Sequence, residues 1–332
     1  MKKFLMVIFI VLFFIVIVIV ADYFSGKKAA LNPVIYGVSF QPDYANYLTG
    51  DYKEVFKTIL DDWGFRHIRL SARWDEVELE QGKFDFTILD WMMNESAKRD
   101  AKIILAVGQK TPRWPECHAP EWTKELTEEE YFSALEKYIK KTVERYQNYP
   151  ALEIWQVENE PFLPFGERCR SLSTKKFKEE VSWVTNIDPA HKILTADSGE
   201  LSTWFRTARA ADYFGTTLYQ MVWNKYMGYW SYDWLPAGFY RLKLWLNARA
   251  PEQAFIVELQ AEPWLPNNAI EKVPLEEQYK SMSIERLKSN LEYARRVGFS
   301  RNYLWGAEWW YWLEKKGVND FSDFVKNLDK TQ

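Results

Sequence analysis

Along most of the chain, short apolar segments alternate with longer segments in which apolar residues recur every three or four positions. The short segments have the length and the β-branched content of strands, and the longer ones have the period of amphipathic helices. Strands are predicted at residues 34–40, 67–71, 102–108, 152–158, 192–197, 213–219, 254–259 and 301–306. Helices are predicted at residues 52–63, 87–100, 128–147, 174–186, 204–211, 236–250, 275–297 and 319–328.

Eight strands that are each followed by a helix predict an α/β fold, the (β/α)8 TIM barrel. The strands are continuously apolar rather than alternating, as expected of parallel strands that are buried on both faces. No Gly/Ser-rich or Pro-rich linker interrupts residues 29–332. Because barrels of this size fold as single units, we predict one domain over that range.

The first 28 residues follow another pattern, in which Lys2 and Lys3 precede an uninterrupted apolar run from Phe4 to Ala21. A run of about 17–25 apolar residues is long enough to span a bilayer, so residues 1–28 are predicted to form a transmembrane anchor. The positive charges before the run predict a cytoplasmic N-terminus and an extracytoplasmic domain, at the cell surface or in the periplasm.

A cleaved signal peptide is the alternative for this segment. Residues 19–21 weakly resemble a cleavage site, and a mature protein that starts at Asp22 would be secreted. The mass of the mature N-terminus distinguishes the two.

Charge and aromatic content restrict the class of partner. Without residues 1–28 the chain has 39 basic and 45 acidic residues, an acidic balance that argues against nucleic acid as a partner. Its 17 Trp, 19 Tyr and 21 Phe make it 17% aromatic. Most of these rings are expected in the core, and the others suit the apolar faces of sugar rings.

Cysteine and histidine give no indication of a metal. The two cysteines, Cys117 and Cys169, fall in the loops after the third and fourth strands. They could form a disulfide or remain as two free thiols, and the sequence does not decide between these alternatives. The three histidines lack the HxH or HExxH spacing of metal sites. We therefore predict neither a metal nor an organic cofactor.

Polar residues that end the predicted strands are candidates for the active site, because a TIM barrel carries its active site at the C-terminal ends of its strands. Glu160 and Glu258 are the two carboxylates that we single out, after strands that approach the mouth from opposite sides. Cleaving a glycosidic bond with retention needs two carboxyls about 5–5.5 Å apart. The alternative is a structural role, since acidic residues after a strand also begin loops and cap helices.

The segments "NEP" at residues 159–161 and "IVELQAEPW" at residues 256–264 resemble the two catalytic segments of the retaining β-glycosidases of clan A, such as glycoside hydrolase families 5, 39 and 42. The resemblance covers nearly all of residues 29–332 in order and spacing. It implies a TIM-barrel glycosidase that hydrolyses O-glycosyl bonds of an oligosaccharide or polysaccharide. By the same resemblance, Glu160 is the acid/base and Glu258 the nucleophile.

Four further roles follow from this resemblance. Arg69 would hold the nucleophile ionised, and Asn159 would bind the 2-hydroxyl of the reactive sugar. Tyr219 would donate a hydrogen bond to the nucleophile, and Trp305 would form the platform under the sugar. Members of family 5 carry a histidine two residues before this tyrosine, where the present chain has Thr217. Neither a single family nor the sugar is therefore assigned.

Several alternatives stay open at this point. Glu158 is out of phase with Glu160 and is predicted to point away from the mouth. Glu262 is the rival nucleophile, although a loop position is expected for it. Glu308 is expected to bind substrate, to lie on the surface or to begin a helix. His118 is expected to be an ordinary loop histidine. A non-catalytic carbohydrate-binding barrel and a transglycosylase remain competing functions.

Overall fold

A closed barrel of eight parallel strands forms the body of the protein in the computed structural model. The structure describes residues 2–29, 34–167, 169–266 and 269–328. The barrel strands are β1 (Ile35–Ser39), β2 (His67–Ser71), β3 (Lys102–Val107), β4 (Leu152–Val157), β5 (Lys192–Asp197), β6 (Tyr213–Leu218), β9 (Ala254–Gln260) and β10 (Arg301–Trp305). Their order around the barrel is β1-β10-β9-β6-β5-β4-β3-β2, which confirms the predicted α/β barrel and all eight predicted strands.

Helices surround the barrel: α1 (Lys2–Ala29), α2 (Pro42–Thr49), α3 (Tyr52–Asp61), α4 (Trp74–Val77), α5 (Thr87–Ala97), α6 (Glu128–Tyr146), α7 (Thr174–Ile187), α8 (Gly238–Leu246), α9 (Leu275–Tyr279), α10 (Ile284–Val297), α11 (Ala307–Lys315) and α12 (Asp320–Lys326). The α6 helix shows why the sequence was informative. Thr127 and Glu130 form a reciprocal capping box at its start, and the predicted apolar face is buried.

Three predicted helices differ from the structure. Turns replace the helix predicted at residues 204–211, where Trp204 has a left-handed φ of 71° and its indole donates to the carbonyl of Ser198. The helix predicted at residues 275–297 is two helices, α9 and α10, because Ser283 caps a new start for the second. The helix predicted at residues 236–250 covers only Gly238–Leu246. Before it, an antiparallel hairpin of β7 (Met221–Asn224) and β8 (Gly228–Ser231) follows β6.

The N-terminal segment is helical as α1, and its described side chains run from Phe4 to Val20. Within the described part of the chain, no helix meets the length and apolarity needed to cross a membrane. The transmembrane span predicted for residues 1–28 therefore has no support from the structure.

Two layers of apolar side chains hold the barrel together. Inside the barrel, a small cluster comprises Ile104, Ile154, Leu194, Ala196, Phe255, Val257 and Tyr303. Between the strands and the helices, a much larger cluster contains most of the buried aromatic rings, in agreement with the expectation that most of them fill the core. Because apolar side chains cover both faces of the strands, the charged groups of the barrel lie at the strand ends.

Candidate active site

A sharp turn at the end of β4 separates Glu158 from Glu160. Both residues have left-handed backbone angles, with φ of 60° and 47°. The Glu158 carboxylate accepts the backbone N–H groups of Gln109 at 2.7 Å and Lys110 at 2.8 Å. Gly108 leaves room for it, since a Cβ there would lie 2.4 Å from its Oε1. Glu158 is thus a structural residue that ties β4 to β3, which confirms its predicted orientation.

Arg69 is buried at the barrel mouth and contacts two of the predicted site residues. Its Nη1 forms an ion pair with Glu258 Oε1 at 2.9 Å, and its Nη2 donates to Asn159 Oδ1 at 2.8 Å. Its Nε donates to Gln156 Oε1 at 2.8 Å. Because the oxygen of Asn159 accepts from Arg69, its amide nitrogen is the donor, with one N–H directed at the carboxyl of Glu116 and the other left for a further partner. A sugar hydroxyl that accepts a hydrogen bond requires such a donor.

Thr217 of β6 and Tyr219, which directly follows this strand, connect the two candidate carboxyls. Tyr219 donates its hydroxyl to Glu258 Oε2 at 2.9 Å, as the resemblance predicts. Thr217 pairs with Glu258 in the strand register, and its hydroxyl donates to Glu160 Oε1 at 3.2 Å. One strand therefore contacts both carboxyls, which places Glu160 and Glu258 in a single site.

The two carboxyls have different surroundings. Glu258 has a cation and a phenol at hydrogen-bonding distance. Glu160 is only 7% exposed and forms its one described side-chain hydrogen bond with Thr217. Burial, followed by the negative charges of Glu258 and Glu116, raises the pKa of Glu160 well above its ordinary value. Its surroundings thus favour the protonated form of Glu160, whereas Glu258 is ion-paired with Arg69.

Glu116 and Lys110 also lie in this site, and neither was singled out from the sequence. Burial, and then the charge of Glu258, raises the pKa of Glu116 to about 7. Lys110 is buried and donates its ammonium to the carbonyls of Glu160 and Leu163, both at 3.0 Å. The only sequence signal was their position in the loop after β3.

Trp305 lies at the end of β10 within a charged cluster rather than beneath an open cleft. Its indole N–H donates to Glu262 Oε1 at 2.8 Å, and Arg113 binds the same oxygen at 2.6 Å. The Arg113 guanidinium lies 4.4 Å from the Trp305 ring and 3.8 Å from the Tyr44 ring. Glu262 is a loop residue, as expected, and it contacts Arg113 instead of taking the position of a nucleophile.

Glu308 begins α11 and is almost fully buried. Its Oε1 accepts the backbone N–H of Gln41 at 2.6 Å, and its Oε2 lies 3.6 Å from Arg113 Nη2. Burial raises its pKa to about 7, against the opposing effect of Arg113. The structure confirms the helix-start position, which was one of the alternatives predicted for Glu308. His118 is a buried loop histidine beside Asp75, with Nδ1 and Oδ2 3.6 Å apart.

A disulfide joins Cys117 and Cys169, with 5.2 Å between their Cα atoms. It links the loops after β3 and β4, which carry Glu116 and Glu160 respectively. The backbone N–H of Glu167 also donates to the carbonyl of Pro115 at 2.8 Å, so the two loops form one unit. Of the two open alternatives for the cysteines, the structure confirms the disulfide.

Replacing both cysteines by alanine is expected to lower the free energy of unfolding by up to about 4 kcal/mol, since the bridge closes a loop of 52 residues. Chemical denaturation of the parent and the double variant, both without reductant, measures the difference. Equal midpoints for the two proteins would mean that the bridge does not constrain the chain. A Cys→Ser pair serves as a control for the loss of apolar contact.

Among the described residues, no three His, Cys, Asp or Glu side chains are grouped as a metal ion requires. A surface cavity of about 660 Å³ is lined by residues at the starts of β5 and β6, including Lys192, Tyr213 and Arg249. It lies at the opposite end of the barrel from Glu160 and Glu258.

The fold has counterparts among known proteins. The glycoside hydrolase family 42 model, described as β-galactosidase, matches residues 57–186. A mannan endo-1,4-β-mannosidase F from Aspergillus fumigatus is 24% identical over 199 residues, which are 53% of this chain and 43% of that protein. The chain spans less than half the length of the curated relatives it matches.

Solved structures show the same fold. Xylanase 10B from Thermotoga maritima superposes with a TM-score of 0.54 at 16% identity, over 82% of each chain. An exo-β-1,4-mannosidase from Opitutaceae bacterium strain TAV5 gives a TM-score of 0.58 at 14% identity, over 82% of this chain and 51% of that one. Together with the family match, these similarities confirm the resemblance to the clan A glycoside hydrolases and support a glycosidase.

Proposed function

We propose that the protein is a retaining glycoside hydrolase that cleaves β-glycosidic bonds by double displacement, with Glu160 as acid/base and Glu258 as nucleophile. The observation that carries the proposal is the contrast between the two carboxyls. Glu258 is paired with Arg69, while burial and the charge of Glu258 itself keep Glu160 protonated. Double displacement requires one carboxyl in each of these states.

In the first step, an oxygen of Glu258 attacks the anomeric carbon and the bond to the leaving oxygen breaks. Glu160 gives its proton to that oxygen, so the aglycone leaves as a neutral alcohol. In the second step, Glu160 takes a proton from water, and the resulting nucleophile breaks the bond between Glu258 and the sugar. Two inversions restore the β configuration of the released sugar.

The proposed roles of the remaining residues follow from the same contacts. Arg69 and Tyr219 position Glu258 through both of its oxygens. Asn159 is positioned by Arg69 and donates to the 2-hydroxyl, a contact that strengthens in the transition state. Trp305 borders the reactive sugar at the end of β10.

The test is turnover of a panel of aryl β-glycosides by the purified full-length chain. The relatives named above include a mannosidase, a xylanase and a family described as β-galactosidase, so β-mannosides, β-xylosides and β-galactosides come first. The proposal is supported if nitrophenol is released and the sugar that is formed first has the β configuration. Binding of glycans without cleavage of any member would favour a carbohydrate-binding barrel instead.

Transglycosylation is the second candidate, because an acceptor sugar can replace water at the same covalent intermediate. The burial of Glu160 favours transglycosylation because it limits the access of water to the intermediate. Adding an acceptor sugar to the same assay and analysing products by mass spectrometry separates the two. Longer products that exceed free sugar would assign the transglycosylase.

Replacing Thr217 by valine is expected to move the basic limb of the pH profile of kcat/KM to higher pH. The Thr217 hydroxyl accepts the N–H of Gly199 at 3.1 Å, so its proton is directed at Glu160 Oε1. A donor stabilises the carboxylate more than the acid, and its loss raises the pKa of Glu160 further. We expect kcat/KM at neutral pH to fall roughly tenfold from lost positioning.

Thr217→Ser is the matched control, because it keeps the hydroxyl and should keep the parent profile. If the valine variant shows the same basic limb as the serine variant, Thr217 does not act on the proton of Glu160.

We also propose that the barrel lies outside the cytoplasm. A disulfide is rare in reducing compartments, and the Cys117–Cys169 bridge therefore supports an oxidising location. The mass of the mature N-terminus from the native host tests whether residues 1–21 are retained or removed. Free thiols in protein isolated from that host under alkylating conditions would contradict the location.

A further inference from the structure

We propose that the active site is a pocket for one terminal sugar, so that the enzyme removes single units from the non-reducing ends of its substrates. This inference rests on the proposed function and adds the mode of action. It arises from five residues that we call the cross-mouth bridge: Tyr44, Arg113, Glu262, Trp305 and Glu308.

The bridge joins opposite sides of the barrel. Arg113 lies in the loop after β3 and Glu262 in the loop after β9, and the strand order places three strands between β3 and β9 in each direction. The loop after β3 therefore extends to the far side of the barrel, where Arg113 Nη1 lies 2.6 Å from Glu262 Oε1. With Arg113 12% exposed and Glu262 10% exposed, the pair is largely shielded from water, which favours a lasting contact.

The other four side chains of the bridge all contact the Arg113 guanidinium. Tyr44, after β1, and Trp305, at the end of β10, both stack on it, and Glu308 supplies a second carboxylate. Trp305 also donates to Glu262, so the indole contacts both the guanidinium and the carboxylate that pairs with it. These contacts place the bridge on the side of the mouth that is formed by β1, β9 and β10.

A chain of aromatic rings reinforces the crossing. Trp114, next to Arg113, packs edge-on against Phe165 at 6.2 Å between ring centroids, and Phe165 packs on Trp264 at 5.8 Å. Trp264 in turn contacts Tyr219 at 5.2 Å. The disulfide ties together the two loops that carry Trp114 and Phe165. The loops after β3, β4 and β9 are thus joined by a chain of rings that ends at Tyr219.

The position of Glu160 shows which side of the sugar is closed. Glu160 contacts Thr217 of β6, on the other half of the mouth from the bridge. An acid must touch the leaving oxygen, so the aglycone lies toward β5 and β6. The non-reducing end of the reactive sugar then points toward the bridge. A second sugar attached at that end would meet the bridge, whereas a large aglycone would not.

The experiment uses a 4-nitrophenyl β-disaccharide of the sugar that the monosaccharide panel selects. Removal of single units gives free monosaccharide and 4-nitrophenyl monoglycoside first, and nitrophenol after a lag. We expect about 100-fold more monosaccharide than disaccharide among the first products, a ratio typical of steric exclusion. Immediate release of intact disaccharide with nitrophenol would overturn the inference.

Breaking the bridge should change the mode of cleavage. In Arg113→Ala, we expect the share of intact disaccharide among the first products to rise at least about tenfold. Glu262→Gln keeps an acceptor for Trp305 but removes the charge, and we expect a smaller rise from it. This variant provides the test if Arg113→Ala fails to fold. Lys315→Met, which breaks the exposed ion pair with Glu54, is the control and should keep the parent ratio. An unchanged product ratio in both bridge variants would contradict the role of the bridge.

Failure of the proposed function is distinguishable from failure of this inference. If neither the aryl glycosides nor the matching oligosaccharides are cleaved, catalysis is refuted, and the closed pocket is tested by calorimetry with mono- and disaccharides. A closed pocket predicts no gain in affinity from a second sugar at the non-reducing end. A gain of tenfold or more, about 1.4 kcal/mol, would show an open cleft.

Discussion

Glu258→Ala is expected to lower kcat/KM for aryl β-glycosides by at least about 10⁴-fold, or roughly 5 kcal/mol of transition-state stabilisation. The covalent intermediate cannot form without this carboxylate, and Arg69 is left as a buried cation with no carboxylate partner. Steady-state kinetics with an activated substrate measures the loss. Added azide should attack from the vacated face and give an α-glycosyl azide, because only one inversion then occurs.

Glu262→Gln is the matched control, since Glu262 was the rival nucleophile and lies four residues further along the chain. We expect a loss of less than about 100-fold and no α-glycosyl azide from this variant, because its carboxylate binds Arg113 and Trp305. If Glu262→Gln loses as much activity as Glu258→Ala and yields the azide product, the nucleophile has been assigned to the wrong residue.

Glu160→Ala is expected to have an effect that depends on the leaving group. General acid catalysis contributes about 10²–10⁴-fold, so substrates with poor leaving groups should lose activity by that factor. Substrates with a 2,4-dinitrophenol leaving group need little protonation and should still form the intermediate. Azide should then attack that intermediate without needing a base, giving a β-glycosyl azide and faster turnover.

The pH profile provides a second readout for the same variant. Burial and the charge of Glu258 raise the pKa of Glu160, so the parent should lose activity as pH rises through that raised value. The basic limb should be absent in Glu160→Ala because no proton remains to be lost. A basic limb that persists unchanged in the variant would assign the acid to another group. Glu116, whose pKa is raised to about 7, would be the first candidate.

The sequence was sufficient for the barrel because its strands are short, buried and continuously apolar, and because turn residues separate them from amphipathic helices. It also led to Arg69, Asn159, Tyr219 and Glu258, which the structure brings into mutual contact. Each of them ends a strand or lies within one, where position along the chain predicts position in space. The roles of these residues stay predictions until the variants are measured.

Loop geometry accounts for what the sequence did not reveal. Arg113 and Glu262 are 149 residues apart and meet across the mouth, a contact that depends on how two loops fold over the barrel. Glu116 enters the site because its loop is tied to the next by the disulfide, whose formation the sequence left open. The turns at residues 204–211 replaced a helix because the backbone of Trp204 is left-handed.

The decisive measurement is covalent trapping of the intermediate with a 2-deoxy-2-fluoro-β-glycosyl fluoride of the preferred sugar, followed by peptide mass spectrometry. The fluorine slows both steps, and the good leaving group allows the first to proceed, so the glycosyl-enzyme accumulates. We predict one added sugar per chain, attached to Glu258. A label on Glu262 or another residue, or turnover with inversion and no label at all, would contradict double displacement at Glu160 and Glu258.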